Sequence, residues 1–132
     1  ASRGLALGDI DGDGDLDVLL TNADGSVHLY EMSGTPVGSW LAVHAVDPSR
    51  GGRDVYGARV LLEVDGVTQS RTVQPSHGYL SSSEAAARFG LDGTPPSDRA
   101  RITIDWPDGR RESFESPWNT MLTANYGEGE SL

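Results

Sequence analysis

Five aspartates alternate with other residues over nine positions, Asp9-Ile10-Asp11-Gly12-Asp13-Gly14-Asp15-Leu16-Asp17. No stable element tolerates this pattern without help. On one strand face or in one curled loop, neighbouring carboxylates about 5 Å apart repel by roughly 3 kcal/mol per pair at an effective dielectric near 20. A folded segment of this kind needs a counter-ion. Hard Ca²⁺ takes six to eight oxygens, and a chain curling around it must aim alternate side chains inward. Gly14, at the sixth position, permits the sharp turn that lets the seventh offer its carbonyl. The spacing therefore assigns Asp9, Asp11, Asp13 and Asp17 as side-chain ligands. Asp15 ligates through its backbone oxygen. Mg²⁺ fits less well, because it prefers fewer carboxylates and keeps its waters.

The first nine positions match an EF-hand loop, but the twelfth does not: Leu20 stands where a bidentate Glu is required. The flanks, Leu5-Ala6-Leu7 and Val18-Leu19-Leu20, are short and strand-like. The acidic loop is thus expected to join two strands rather than two helices.

The rest of the chain carries the period of strands. Leu41, Val43 and Ala45 share one face of a segment from Trp40 to Val46. Ala58, Val60, Leu62 and Val64 share another, and Ala100, Ile102, Ile104 and Trp106 a third. Such alternation marks half-buried antiparallel strands. As turns, Asn22-Ala23-Asp24-Gly25 joins Val18–Thr21 to Val27–Met32, Asp65-Gly66 joins 58–64 to about 67–74, and Pro107-Asp108-Gly109 joins 99–106 to 110–115. Only Ser83–Arg88, with Glu84 and three alanines, reads as a short helix. The expected fold is all-β: an antiparallel β-sandwich preceded by one calcium-binding β-hairpin. The expected layout is the hairpin over 1–34, a linker over 35–39, the main β domain over 40–126 and a frayed tail over 127–132. A lone hairpin is marginal in water, so the N-terminal strands must pack against something else.

Composition excludes several functions. Twenty acids against ten bases give a net charge of −10, which argues against nucleic acid and against anionic membranes. Residues 1–34 hold seven acids and Arg3, a net of −6; the remaining thirteen acids and nine arginines leave −4. The acidity is therefore concentrated in the loop. There is no Cys and no Lys, which removes disulfides, thiolate chemistry and Schiff-base lysines. No apolar run is long enough to insert in a membrane. Neither a nucleophile elbow nor an oxyanion signature is visible, and the chain is not expected to be an enzyme. His28 and His44 read as packed or surface residues. Ser76-His77 has no local support for a triad with Asp54 or Asp105. Asp105 and Asp108 read as a strand end and a turn residue. Tyr79, Phe89 and Trp106 are expected in the core, while Trp40, Tyr56 and Trp118 are candidates for an exposed aromatic patch of the kind that binds sugars.

Two resemblances refine this reading. Gly8 to Val18 closely resembles the calcium loop of FG-GAP/VCBS repeats, the blades of integrin-type β-propellers. The resemblance implies Ca²⁺ held by Asp9, Asp11, Asp13 and Asp17, with the carbonyl of Asp15. The motif occurs once, and a propeller needs four or more blades, so the chain is not itself one. Gly57-Ala58-Arg59-Val60, Gly78-Tyr79-Leu80-Ser81, Phe89-Gly90-Leu91 and Trp106-Pro107-Asp108-Gly109 follow the order and spacing of the ASPIC/UnbV domain. Asp92, where that family usually has Gly, and Gly51-Gly52, where it tends to have Asn, depart from its pattern. The resemblance supplies no catalytic residues. Together the two imply the C-terminal end of a longer secreted protein, a non-enzymatic extracellular calcium-binding module for adhesion or protein interaction. Its partner would be a protein or glycan at the cell surface. The alternatives are a self-assembling subunit that donates strands to copies of itself, and a carbohydrate-binding sandwich.

Overall fold

The structure, a computed structural model, describes residues 1–34 and 37–132. Among these are twelve strands: β1 (Ser2–Gly8), β2 (Asp17–Asn22), β3 (His28–Tyr30), β4 (Ser39–Asp47), β5 (Arg53–Asp54), β6 (Arg59–Val64), β7 (Val67–Thr72), β8 (Ala87–Leu91), β9 (Arg99–Asp105), β10 (Arg111–Pro117), β11 (Thr120–Asn125) and β12 (Glu130–Ser131). A single 3₁₀ turn, Pro48–Arg50, follows β4. The all-β expectation holds. Among the described residues no helix is long and apolar enough to cross a membrane.

Two compact units form, one from Ala1–Pro36 and Gln74–Glu84, the other from Val37–Val73 and Ala85–Leu132. Of the expected linker over 35–39, Thr35 and Pro36 lie outside the described residues, and Ser39 already begins β4.

The first unit is more than a hairpin. Its sheet runs β1-β2-β3, antiparallel throughout. The acidic loop joins β1 to β2, with Gly8 opposite Asp17. The other edge of β1 is met by a segment from far along the chain: Leu7 N–H donates to Ser83 Oγ at 3.1 Å, and Glu84 N–H donates to Leu7 O at 2.8 Å. The packing partner that the short N-terminal strands need is thus a third strand plus residues 74–84.

The second unit places two sheets around one core. One sheet is ordered β12-β10-β9-β6-β7. In the other, β4 pairs along one edge with β11, while its opposite edge is shared by β8 at residues 39–43 and β5 at 46–47. The β4–β11 pair is parallel, an exception to the expected antiparallel order. Leu41, Val43, Ala87, Phe89 and Ala124 from this sheet meet Val60, Leu62, Ala100, Ile102 and Ile104 from the other. The alternating faces read from the sequence are those that line the core. On β4, however, Ala42 and Val46 are buried as well. Strands on both sides and cover on both faces make it a central strand, which alternation alone cannot reveal.

The turns do what their residues predict. Asp65 and Gly66 join β6 to β7 with φ of 50° and 75°, the two positive values of a type I′ turn. Three expectations are corrected. Ser83–Arg88 is not a helix: Ala85, Ala87 and Phe89 are buried while Arg88 between them is more exposed, and β8 pairs with β4 from Ala87 onward. Burial at period 2 overrides the alanines' helix preference. Tyr79 is not core but 72% exposed, because Gly78 and Ser81 bridge and leave Tyr79 and Leu80 at the tip of a tight turn. The tail is not frayed: β12 pairs with β10, and Leu132 N–H donates to Arg111 O at 3.0 Å. Gly129 lets it approach, since a Cβ there would lie 2.7 Å from Phe114 Cζ.

Candidate metal centre and neighbouring surfaces

The acidic loop folds back on its own backbone. Asp9 accepts from Gly12 N–H through Oδ1 at 2.7 Å and from Gly14 N–H through Oδ2 at 3.0 Å. Asp11 Oδ1 accepts from Asp13 N–H at 3.2 Å, and Asp13 Oδ1 from Asp15 N–H at 2.9 Å. Gly12 and Gly14 make this curl possible with φ of 79° and 98°, a region closed to most side chains. Asp17 closes the loop. It is buried, and its two oxygens accept from Ile10 N–H at 2.7 Å and Met32 N–H at 2.9 Å. The backbone donors partly offset the charge, but they do not cancel it.

Asp9, Asp11 and Asp17 each bring one carboxylate oxygen within 4.8 Å of the others. Asp13 and Asp15 lie half-buried in the same loop but do not join that group. The donor set is hard oxygen, which suits Ca²⁺, Mg²⁺ or Mn²⁺ rather than a thiolate-seeking or imidazole-seeking metal. Each carboxylate oxygen can still receive a cation while accepting one hydrogen bond. The residues present therefore fit a Ca²⁺ ion.

One residue at this site escaped the sequence reading. Glu84 Oε2 accepts from Asp9 N–H at 3.3 Å across 75 residues of chain. No local pattern announces it, since its only visible signal was an acid at the start of a segment that reads as helix.

In the second unit, a cleft of about 660 Å³ is lined by Arg50, Arg53, Tyr56, Trp106, Asp108 and Tyr126, among others. Of the expected exposed aromatics, Tyr56 is exposed and opens onto this cleft. Trp118 instead packs on the core and donates from Nε1 to Ser97 O at 2.9 Å. Trp40 is half-buried in β4. Phe89 and Trp106 are core residues, as expected. His44 Nδ1 lies 2.9 Å from Asp54 Oδ1, and Asp105 is held by Arg59 and Arg111.

At the cleft wall, Tyr126 Oη–H donates to Asp108 Oδ2 at 2.6 Å, and Arg110 N–H donates to Asp108 Oδ1 at 3.0 Å. The phenol's hydrogen bond is the main reason the Asp108 carboxyl sits below the usual carboxylate range, and the same bond raises the Tyr126 phenol. Both shifts favour the folded state between the two titrations. Asp108's contribution is present above the ordinary carboxylate range and fades as pH falls through its lowered value. Tyr126's is present below the ordinary phenol range and fades as pH rises through its raised value. Tyr126→Phe is expected to return Asp108 toward the ordinary range. Carboxyl ¹³C NMR titration checks this; an unmoved Asp108 would show that the phenol does not set it.

Comparison with known proteins gives two family matches that overlap along the chain. The family described as ASPIC and UnbV matches residues 48–131, a span that runs into β12, and the FG-GAP-like repeat matches residues 9–60. Cartilage acidic protein 1 of Mus musculus is 30% identical over 129 residues, covering 92% of this chain and 19% of the relative. The Xenopus tropicalis protein of the same name is 28% identical over 130 residues, covering 93% of this chain and 19% of the relative. The chain therefore spans about a fifth of the length of the curated relatives it matches. No solved structure matches it. A match over more than half of the chain, carried by β5 to β12 and the turns between them, makes this protein a member of the ASPIC and UnbV family.

Proposed function

We propose that this chain is a non-enzymatic, calcium-binding interaction module that works outside the cell and docks a protein or glycan partner. The observation that carries the calcium reading is the convergence of Asp9, Asp11 and Asp17 within 4.8 Å on a glycine-permitted curl. The FG-GAP-like match over residues 9–60 supports it, as does the resemblance of the loop to that family's calcium site. Extracellular placement rests on the same repeat and on the likeness to cartilage acidic protein 1.

Bound Ca²⁺ would cancel the repulsion among the aspartates and fix the β1–β2 connection. Sites in extracellular modules bind at about 10⁻⁴–10⁻³ M. At ten times that concentration the ion stabilises the folded state by about 1.4 kcal/mol. The ion therefore locks the loop locally rather than holding the second unit together.

Calorimetric titration tests the assignment. The wild-type chain is expected to take up one Ca²⁺ with submillimolar to millimolar affinity. Asp11→Ala, at an exposed position, is expected to weaken binding about tenfold or more by removing one charged ligand. Asp15→Ala, whose side chain lies outside the converging group, should change it little. Equal uptake by the wild type and Asp11→Ala would sink the ligand assignment.

A further inference from the structure

The cleft in the second unit, at about 660 Å³, has the size of a small-molecule site, about 300–1,000 Å³. Backbone hydrogen bonds pin its walls. Gly52 N–H donates to Asp47 O at 3.0 Å and Val55 N–H to Ala45 O at 2.8 Å, which fixes the β4–β5 connection. Tyr126 N–H donates to Val46 O at 2.8 Å, and Trp106 N–H to Arg110 O at 2.9 Å. The cleft is therefore preformed, and its walls lie within one compact unit.

Its charged groups are not used alike. The three acids already serve the fold. Asp47 accepts from Ser49 N–H at 2.9 Å and from Ser49 Oγ–H at 2.7 Å, Asp54 lies against His44, and Asp108 accepts from Tyr126 and Arg110. The two arginines are left over. Arg50 is 78% exposed and meets Asp47 through Nε at 3.4 Å. Arg53 is exposed, and among the described residues its guanidinium has no hydrogen-bond or ion-pair partner. Tyr56 lines the same cleft with 61% of its surface exposed.

A ligand that matches this lining needs three things. It has an anionic group for the guanidinium forks, and a planar carboxylate suits them bidentately. It has a flat apolar face for the Tyr56 ring. It has O–H donors for the remaining lone pairs of Asp54 and Asp108. Three carboxylates in the cleft and a net charge of −10 disfavour a densely charged polyanion. An acidic peptide brings the carboxylate without the hydroxyl-bearing ring. A sugar acid brings all three. We propose that this cleft binds a saccharide with a ring-borne carboxylate, Arg53 and Arg50 holding the carboxylate, Tyr56 lying under the ring and Asp54 and Asp108 accepting from its hydroxyls. The proposal rests on the glycan half of the interaction reading above and does not depend on the aspartate loop.

Amide NMR titration of the full chain in EDTA tests it, with tetragalacturonate and a hyaluronan tetrasaccharide as probes. Saturable shifts are expected at residues 49–56 and at Tyr126 with at least one of the two. The methyl ester of the probe that binds keeps ring and hydroxyls but loses the charge, and should bind about tenfold more weakly or worse, the worth of a charge-assisted hydrogen bond. Arg53→Ala should weaken the acid by the same factor. Arg53→Lys keeps the charge without the fork and should recover only part of the loss. Tyr56→Ala should weaken acid and ester alike. Arg99→Ala, which removes an exposed arginine outside the cleft, should change nothing. Equal binding of acid and ester would overturn the carboxylate contact, as would tighter binding of sulfated maltotetraose. Tetraglutamate binding as tightly as the sugar would make the cleft a peptide site instead. No saturable shift in the cleft with either probe would end the proposal, while the calcium titration and docking of a protein partner are read independently of it.

Discussion

Glu112→Ala is expected to destabilise the second unit by about 2–4 kcal/mol, the cost of stranding a buried hydrogen-bond donor and emptying the space its side chain fills. Glu112 is 1% exposed. Its Oε2 accepts from Trp106 Nε1–H at 2.7 Å and from Gly127 N–H at 3.0 Å, while Arg110 Nε lies 3.6 Å from Oε1. Alanine strands the buried Trp106 indole N–H, which costs about 1–3 kcal/mol, and also removes the acceptor of the more exposed Gly127 amide. Gln keeps an oxygen that can serve both donors and loses only the contact to Arg110, so Glu112→Gln should cost about 1 kcal/mol, the worth of a typical hydrogen bond. All three tryptophans, Trp40, Trp106 and Trp118, lie in the second unit. Urea unfolding followed by tryptophan fluorescence therefore reports on it alone. If Gln proves as damaging as Ala, the carboxylate's charge rather than its acceptor geometry holds this corner.

Ile102→Ala is expected to cost a further-reaching 3–4 kcal/mol in the same assay, the usual range for an isoleucine truncated in a tight core. Ile102 has no exposed surface. It sits on β9, flanked in register by Leu62 on β6 and Phe114 on β10. The sheet holds its neighbours on both sides, so the vacated space cannot collapse easily. Ile102→Val should cost about 1 kcal/mol. A loss below about 1 kcal/mol for the alanine variant would mean the second sheet relaxes onto β9. Neither substitution should alter calcium uptake, because the aspartate loop belongs to the other unit.

Much of the second unit was legible because its strands keep one face in the core and one toward water. Val60 and Leu62, or Ile102 and Ile104, declare their face by alternation alone, and Asp65-Gly66 declares its turn by needing two positive φ angles. Two of the failures share one cause. Ala85, Ala87 and the residues of the tail take their conformation from distant partners: β4 for Ala87, and β10 for Glu130 and Ser131. Local preference is worth tenths of a kcal/mol per residue, and burial against a partner outweighs it. Tyr79 failed for the opposite reason. An aromatic side chain reads as core until a tight turn closes beneath it.

The aspartate loop is the sharpest contrast. Its spacing, its two glycines and the repulsion among its acids are properties of nine consecutive residues, so the sequence alone was enough to propose a cation there. It was not enough to say which carboxylates converge. The curl brings Asp9, Asp11 and Asp17 together, with Met32 N–H after β3 holding Asp17, while Asp13 and Asp15 stay outside that group. The arrival of Glu84 at the Asp9 amide depends on a contact across 75 residues. Spacing determines what a loop can bind; only the tertiary structure decides which distant group holds it, because that contact exists only once the edge of β1 has been met by another part of the chain.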